Sequence, residues 1–440
     1  MSELYSRHIK AGLDAALDDT PVAVVVGPRQ AGKSTLASLV ADERSAHYVT
    51  LDDDGPREAA NDDPTGFVES AALPLCIDEF QKAPALLPAI KARVDRARAG
   101  GRRPAGMFML TGSANVWTTL RISESLVGRA ERVPLWPLSQ GELRGRRETF
   151  IDDLFAGRVA QLANAPVGRG AIAEALATGG YPEALARRDP RRRGRWFEEY
   201  VAMTLERDVR DLVRNAQQLD QLPTLLRLTA SRASGLLSPT GIARDAGMSR
   251  PTAQRYLTLL EQLFLLIRAR AWSRNIGQRL IKAPKVWLPD TGLACHLLDY
   301  EQSRFEGDET SLAGSLFENF VAMELVKQAA WAEATVRIHH FRTAGGREID
   351  ILIERGDGSV CGLEVKLGAS ARSRDFGALR HLQSKLGARF KAGVVVHTGP
   401  ETLSFGSGLW ALPVSALWTP HRSSPAVARV GSDGRRGSNE

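Results

Sequence analysis

The chain has 440 residues, 43% apolar and 25% charged, which is the composition of an ordinary soluble globular protein. At roughly 100–200 residues per domain it is long enough for several domains, and no apolar run approaches the roughly 18 residues a membrane helix needs. The net charge of +7, from 58 basic and 51 acidic residues, is compatible with a nucleic-acid partner and equally with a general richness in arginine.

The opening "MSELYSRHIKAGLDAAL" has no apolar core ahead of a small-residue cleavage site. It reads as an amphipathic entry helix rather than a signal peptide. Cys76, Cys295 and Cys361 stand far apart and make no metal-type spacing, which fits a reducing, cytoplasmic setting.

Residues 22–26, "VAVVV", form the continuous apolar run of a strand buried on both faces. Gly27, Pro28, Arg29, Gln30, Ala31, Gly32, Lys33, Ser34 and Thr35 follow, and then a stretch with helical spacing. Strand, G-x-x-x-x-G-K-S and helix in that order predict a P-loop. Its glycines let backbone N–H groups curl around phosphates. Lys33 brings a charge to the β- and γ-phosphates, and Ser34 offers a hydroxyl to Mg²⁺. The helix start directs its positive dipole end at the same group. ATP and Mg²⁺ are therefore the expected ligands.

"AALPLCIDEF" supplies the carboxylate strand. Asp78 is expected to hold Mg²⁺ through water, and Glu79 to orient the attacking water. The next strand, in "GMFMLTGSAN", ends in Thr111, Ser113 and Asn115, candidates for sensing the γ-phosphate from a strand C-terminus. Arg129, just after a glycine, is either a surface arginine or an arginine finger acting in its own or a neighbouring subunit.

From about residue 150 apolar residues recur at three- and four-residue spacing, broken at Gly179-Gly180 and Pro182, so a helical region is expected. The basic run Arg187–Arg195 reads as a solvated loop, with a phosphate backbone as the other partner it suits. A short helix at Ile242–Ala246, a turn at Gly247, an N-cap at Ser249 and Pro251 in the first turn predict a helix-turn-helix. Leu257, Leu260 and Phe264 are expected to share the inner face of its second helix. "FLLIRAR…KVWLPD" would supply wing strands. Arg250, Gln254 and Arg255 lie at the exposed helix start, where base or phosphate contacts occur, although such a module also docks proteins.

Glu318 falls on an amphipathic helix. Two strands follow, "EIDILIER" and "GLEVKLG", joined by "RGDG", whose Asp-Gly favours a tight turn. Alternation puts Asp350 on the face opposite Ile349 and Ile351, and Glu364 with Lys366 on one face. A hairpin would join two carboxylates and a lysine, a candidate Mg²⁺ or Mn²⁺ pocket in which the lysine positions a water. The same pattern also describes the charged outer face of an ordinary sheet. Residues 421–440 have no apolar period and are expected to be a disordered tail.

"GPRQAGKST", "CIDEFQKAP", "MLTGSAN", "SLVGRAERVPLWPLS" and "GGYPEAL" together resemble a bacterial and archaeal AAA+ ATPase family with a C-terminal region of unknown function. The resemblance runs from about residue 3 to 415. The D…E-x-K pattern resembles the PD-(D/E)XK nuclease fold, in which Glu318 matches a glutamate of the first helix and the usual proline before Asp350 is missing. The implied fold is α/β: a P-loop AAA+ parallel sheet with a helical lid, a winged-helix domain and a PD-(D/E)XK-like C-terminal domain. The expected borders are 1–147 for the ATPase core, 148–215 for the lid, 216–300 for the winged helix, 301–420 for the nuclease-like domain and 421–440 for the tail. Self-association into a homo-oligomer follows from the resemblance, because ATP sits between AAA+ subunits. Three outputs are open: an ATPase acting on DNA or RNA, an ATP-gated nuclease with metal at Glu318, Asp350 and Glu364, and a nucleotide-switched regulator that binds a protein.

Overall fold

The computed structural model describes residues 4–101, 104–113, 126–162, 167–208, 219–273, 275, 277, 279, 282–307, 311–343 and 345–419. Asn115 and the expected tail at 421–440 lie outside these residues.

The N-terminal part is a five-stranded parallel sheet in the order β2-β3-β4-β1-β5, formed by β1 (Val22–Val26), β2 (His47–Thr50), β3 (Leu75–Asp78), β4 (Phe108–Gly112) and β5 (Ala130–Pro134). All five residues of β1 are fully buried, as a run of valine and alanine between two covered faces requires. Leu13 and Leu17 of the helix Lys10–Asp19 pack on one face with Leu36 and Val40 of the helix Lys33–Glu43. Ile90 and Val94 of the helix Leu86–Ala99 pack on the other with Val24 and Ile77. Parallel strands put every C-terminal end on one edge, so the loop after β1, Asp78 at the end of β3 and Thr111 near the end of β4 converge there.

The middle of the chain is helical. The basic run Arg187–Arg195 is a loop only as far as Asp189: that side chain accepts a hydrogen bond from the Arg191 amide, Pro190 sits in the first turn, and the helix Pro190–Met203 follows. The dense arginines hide its period, since only Phe197 and Tyr200 are buried in it. Further on, Ser238 caps the helix Pro239–Asp245, Gly247 turns the chain at φ 64°, and Ser249 caps the helix Arg250–Gln262. Two short antiparallel strands come next, β6 (Ile267–Ala269) and β7 (Lys285–Trp287). Leu257 and Leu260 face the same core, but Phe264 does not join them. It lies beyond the helix at φ 55° and inserts into the ATPase core, edge-on to Trp136 at 5.7 Å.

The C-terminal part is a six-stranded sheet in the order β12-β13-β11-β10-β9-β8. Its strands are β8 (Val336–Arg342), β9 (Glu348–Arg355), β10 (Val360–Lys366), β11 (Phe390–His397), β12 (Leu403–Ser404) and β13 (Leu409–Pro413). β8, β9 and β10 form an antiparallel meander. β11 returns parallel to β10 after the helix Gly377–Leu386. The helix Ser311–Gln328 covers one face and is buried around its whole circumference. One hydrophobic core runs from Phe150 to Trp418, through the helical middle and into this sheet.

Candidate functional site

The loop after β1 is built for close approach to a polyphosphate. Gly27 leaves no room for a side chain, since a Cβ there would meet the Leu135 carbonyl oxygen at 2.0 Å. Gln30 and Gly32 take left-handed backbone conformations, at φ 57° and 95°. Gly32 caps the helix Lys33–Glu43 without a side-chain hydrogen bond, which leaves the helix start open. The Lys33 ammonium is 4% exposed and donates to the carbonyl oxygens of Gly27 at 3.1 Å and Pro28 at 2.9 Å, so it spans the loop it would serve. Ser34 and Thr35 are exposed at the helix start.

Across this edge Ser34 Oγ donates to Asp78 Oδ1 at 3.0 Å. Thr111 donates to the same carboxylate oxygen, and Thr50 Oγ1 approaches the other at 3.5 Å. A hydroxyl and a carboxylate so paired are the hard-oxygen donors Mg²⁺ takes when it also keeps waters. Glu79 sits at φ 54°, costly for a glutamate, and its amide donates to Thr111 Oγ1 at 3.1 Å. Its carboxylate accepts from Gln81 and from Ser113 Oγ at 3.3 Å, and Gln81 Nε2 also donates to Ser113 Oγ at 3.1 Å. Residues of the loop, of β3 and of the end of β4 therefore meet in one place, as the sequence predicts.

Arg129 is elsewhere. β5 runs parallel to β1 with Ala130 opposite Val22, so the residue before β5 lies at the edge of the sheet away from the loop. There Arg129 holds Asp95 with Nε at 2.7 Å and Nη2 at 3.0 Å. The expectation that it reaches a phosphate in its own subunit is corrected by strand direction.

Arg7 belongs to the loop although nothing in the sequence pattern singles it out. Its guanidinium donates to the Ala31 carbonyl at 2.6 Å, to the Trp136 carbonyl at 2.6 Å and to Glu142 Oε1 at 3.1 Å. Glu142 also accepts from the amides of His8 and Ser139, at 2.8 and 2.9 Å. These bonds and the Arg7 charge keep its carboxyl below the usual carboxylate range despite burial. Next to Ser139, the Gln140 amide donates to Glu324 Oε2 at 2.8 Å, and Lys327 Nζ donates to the Leu138 carbonyl at 2.9 Å. The phosphate loop thus connects by polar contacts to the central helix Ser311–Gln328.

The C-terminal candidates also come together. Leu363 pairs with Ile351, which sets Glu364 beside Asp350 across the hairpin, and Asp350 Oδ2 accepts from the Val365 amide at 2.9 Å. Lys366 Nζ is 3.1 Å from Glu364 Oε2. Burial, and then the neighbouring Asp350 charge, push the Glu318 and Glu364 carboxyls up to about 8. The expected metal pocket is corrected at its centre. The ammonium of Lys285, from β7, sits 2.8 Å from Glu318, 2.8 Å from Glu348 and 3.3 Å from Asp350. Among the described residues no group of three or more His, Cys, Asp or Glu is arranged to hold a metal ion. Lys285 was legible only as one charged residue in the apolar strand "KVW".

Arg250, Gln254 and Arg255 all stand exposed on the helix Arg250–Gln262, while its other face is buried by Ala253, Leu257 and Leu260.

Comparison with known proteins follows this layout. Residues 19–144 match a family described as an AAA domain, and residues 169–304 and 313–417 match two domains of unknown function, DUF8612 and DUF4143. Uncharacterized proteins of Mycobacterium tuberculosis and Mycobacterium bovis are each 31% identical over 363 residues, covering 82% of this chain and 73% of theirs. The chain belongs to the family of AAA-domain proteins that carry a DUF4143 domain at the C-terminus.

As a member of that family it has the P-loop ATPase fold in its parallel sheet. Solved structures similar to this AAA-DUF4143 protein include a Walker-type ATPase of Pyrococcus abyssi, 17% identical, covering 67% of this chain and 96% of that one with a TM-score of 0.43. Another is the RuvB Holliday junction branch migration motor of Thermotoga maritima, 19% identical, covering 61% and 92% with a TM-score of 0.28. No helix among the described residues is long and apolar enough to cross a membrane.

Proposed function

We propose that this protein binds and hydrolyses Mg·ATP at the edge formed by Gly27–Thr35, Asp78, Glu79 and Ser113, and transmits the nucleotide state to nucleic acid through its C-terminal half. The observation that carries the ATPase reading is the Ser34–Asp78 pair, 3.0 Å apart beside the buried Lys33. Bound Mg·ATP supplies the transferable phosphoryl group and the metal's charge. Lys33 and the open amides of the loop bind and orient the phosphates. Ser34 and Asp78 hold the metal side. Glu79, steadied by Gln81 and Ser113, orients a water for in-line attack, and Thr111 fixes both acidic residues.

The nucleic-acid reading rests on the exposed Arg250, Gln254 and Arg255 of the capped helix, which stands as the second member of a helix-turn-helix followed by a two-stranded wing. Arg129 is held away from its own loop, and in this reading it acts on the nucleotide of a neighbouring subunit in a homo-oligomer. The helix, antiparallel meander, helix and parallel strand of the C-terminal part follow the order of the PD-(D/E)XK fold. The lysine among its carboxylates argues against cleavage in this form.

A direct titration with ATP tests the first reading: Lys33→Ala abolishes binding, whereas Glu79→Gln retains binding and loses turnover. Unchanged affinity in Lys33→Ala overturns the assignment. A salt-dependent shift of labelled DNA or RNA, weakened in Arg250→Ala and Arg255→Ala, tests the second.

A further inference from the structure

The carboxylate cluster of the C-terminal sheet has its cation already. Lys285 is 2% exposed, and its ammonium touches Glu318 from the central helix and Glu348 and Asp350 from β9. Three salt bridges on one buried ammonium satisfy the three hydrogens it can donate. Neither oxygen of Asp350 is left over, since Oδ1 faces Lys285 and Oδ2 accepts from the Val365 amide. One oxygen of Glu364, Oε2, is engaged by Lys366.

The lysine is also fastened from behind. Two residues beyond β7's Val286, the Leu288 amide donates to Asn319 Oδ1 at 2.8 Å, and Asn319 Nδ2 donates to the Leu288 carbonyl at 3.0 Å. Asn319 is fully buried and is the residue next to Glu318. One helical step therefore grips both the backbone of the ribbon and its charged side chain. On the other side His340 approaches the Ala283 carbonyl at 3.1 Å. The backbone on both sides of Lys285 is thus fastened, and the ammonium reaches the cluster from an anchored strand.

We propose that Lys285 is the resident cation of this cluster, and that the β6–β7 ribbon plugs it against divalent metal for as long as β7 stays docked on Asn319. An ammonium and a hydrated divalent ion compete for the same oxygens, and the covalently tethered one has no translational entropy left to lose. Removing the lysine alone leaves buried carboxyls with only protons to neutralise them, and an added dication competes with those protons for the same oxygens. This goes beyond the ATPase reading and does not depend on it, because none of these residues belongs to the phosphate loop.

The test is a Mn²⁺ titration of the full-length, nucleotide-free protein, followed by electron paramagnetic resonance of the free ion. The wild-type chain is expected to hold no Mn²⁺ that Asp350→Asn removes. Lys285→Met is expected to gain one Mn²⁺, at least about tenfold tighter than any wild-type binding, and to lose it when Asp350→Asn is added. Its melting temperature should rise with Mn²⁺ while that of the wild type does not. Lys285→Gln, which keeps a hydrogen-bond donor among the carboxylates, serves if the methionine variant fails to fold. Asp350-dependent Mn²⁺ binding by the wild type overturns the proposal, whatever the variants do. So does a folded Lys285 variant that takes up none. ATP titrations of the same proteins stay unchanged in either case, so failure here is distinct from failure of the P-loop assignment.

Discussion

Arg7 Nη1 lies 2.6 Å from the Ala31 carbonyl oxygen, so a residue ahead of the first helix holds the crown of the phosphate loop. The same guanidinium pairs with the buried Glu142. Arg7→Ala leaves that carboxylate without its partner, and loss of one member of a buried pair costs about 3–5 kcal/mol. The expected result is a lower midpoint in denaturant and weaker ATP binding, read by urea unfolding and direct titration. Arg7→Lys, which reaches only part of this set, should recover less than half of the binding loss, because a lysine cannot span three acceptors in a planar fork.

Thr111 fixes both acidic residues, through its hydroxyl to Asp78 and through the Glu79 amide. Thr111→Val keeps the shape of the side chain, leaves the Glu79 amide without its acceptor and removes one of the hydroxyls on Asp78, which keeps Ser34. ATP affinity should change by less than about threefold while kcat falls at least about tenfold, a loss of roughly 1.4 kcal/mol in transition-state stabilisation. Steady-state ATPase rates beside equilibrium binding separate the two effects. An equal loss in both would place Thr111 in ground-state binding instead.

Action of Arg129 on a neighbouring subunit, as proposed, predicts complementation between damaged subunits once the arginine is released from Asp95. Arg129→Ala alone should lower ATP turnover by about 10³-fold if Arg129 acts as a finger. Glu79→Gln alone should be inactive for a different reason. Mixed, the first supplies intact loops and the second supplies intact arginines, so activity should return in part. Mixtures no more active than their components would remove Arg129 from catalysis.

His340 gives the C-terminal half an acid limit. Burial, and next the Lys285 charge, push its pKa from 6.5 down to about 4, so the folded protein holds it neutral. Unfolded chains take up that proton below pH 6.5. The stabilisation is fully present above pH 6.5 and is lost as pH falls through 4, about 3 kcal/mol across the window. Between pH 7 and 4 the wild type should lose about that much unfolding free energy relative to His340→Gln, a comparison that cancels the opposite contribution of the raised Glu318 and Glu364 carboxyls.

The phosphate loop was readable because its function is carried by consecutive residues: the strand, the glycines, Lys33 and Ser34 occupy one unbroken stretch. The hairpin around Asp350 and Glu364 was readable for a similar reason, since alternation and an Asp-Gly turn are local signals. Arg7, Gln81 and Lys285 were not. Arg7 acts across 129 and 135 residues to Trp136 and Glu142, and Lys285 across 65 to Asp350. Neither has a periodic signature, and Arg7 is one of many arginines in an arginine-rich chain. Arg129 was visible as a residue but not as a position. Only the pairing of β5 with β1 reveals that it faces away from its own nucleotide edge.

The family borders fall near residues 144, 169, 304 and 313, yet the core that starts at Phe150 does not stop until Trp418. The core lies behind the border at 144 and runs unbroken across those at 169 and 304–313. The helix Ser311–Gln328, counted with the last segment, has apolar neighbours on every side, some of them contributed by the middle of the chain. Cut free at residue 313, that segment would present to water a surface meant for its predecessors and would be prone to aggregate. The chain behind the ATPase sheet matches two families but shares one core, and it is expected to melt as one.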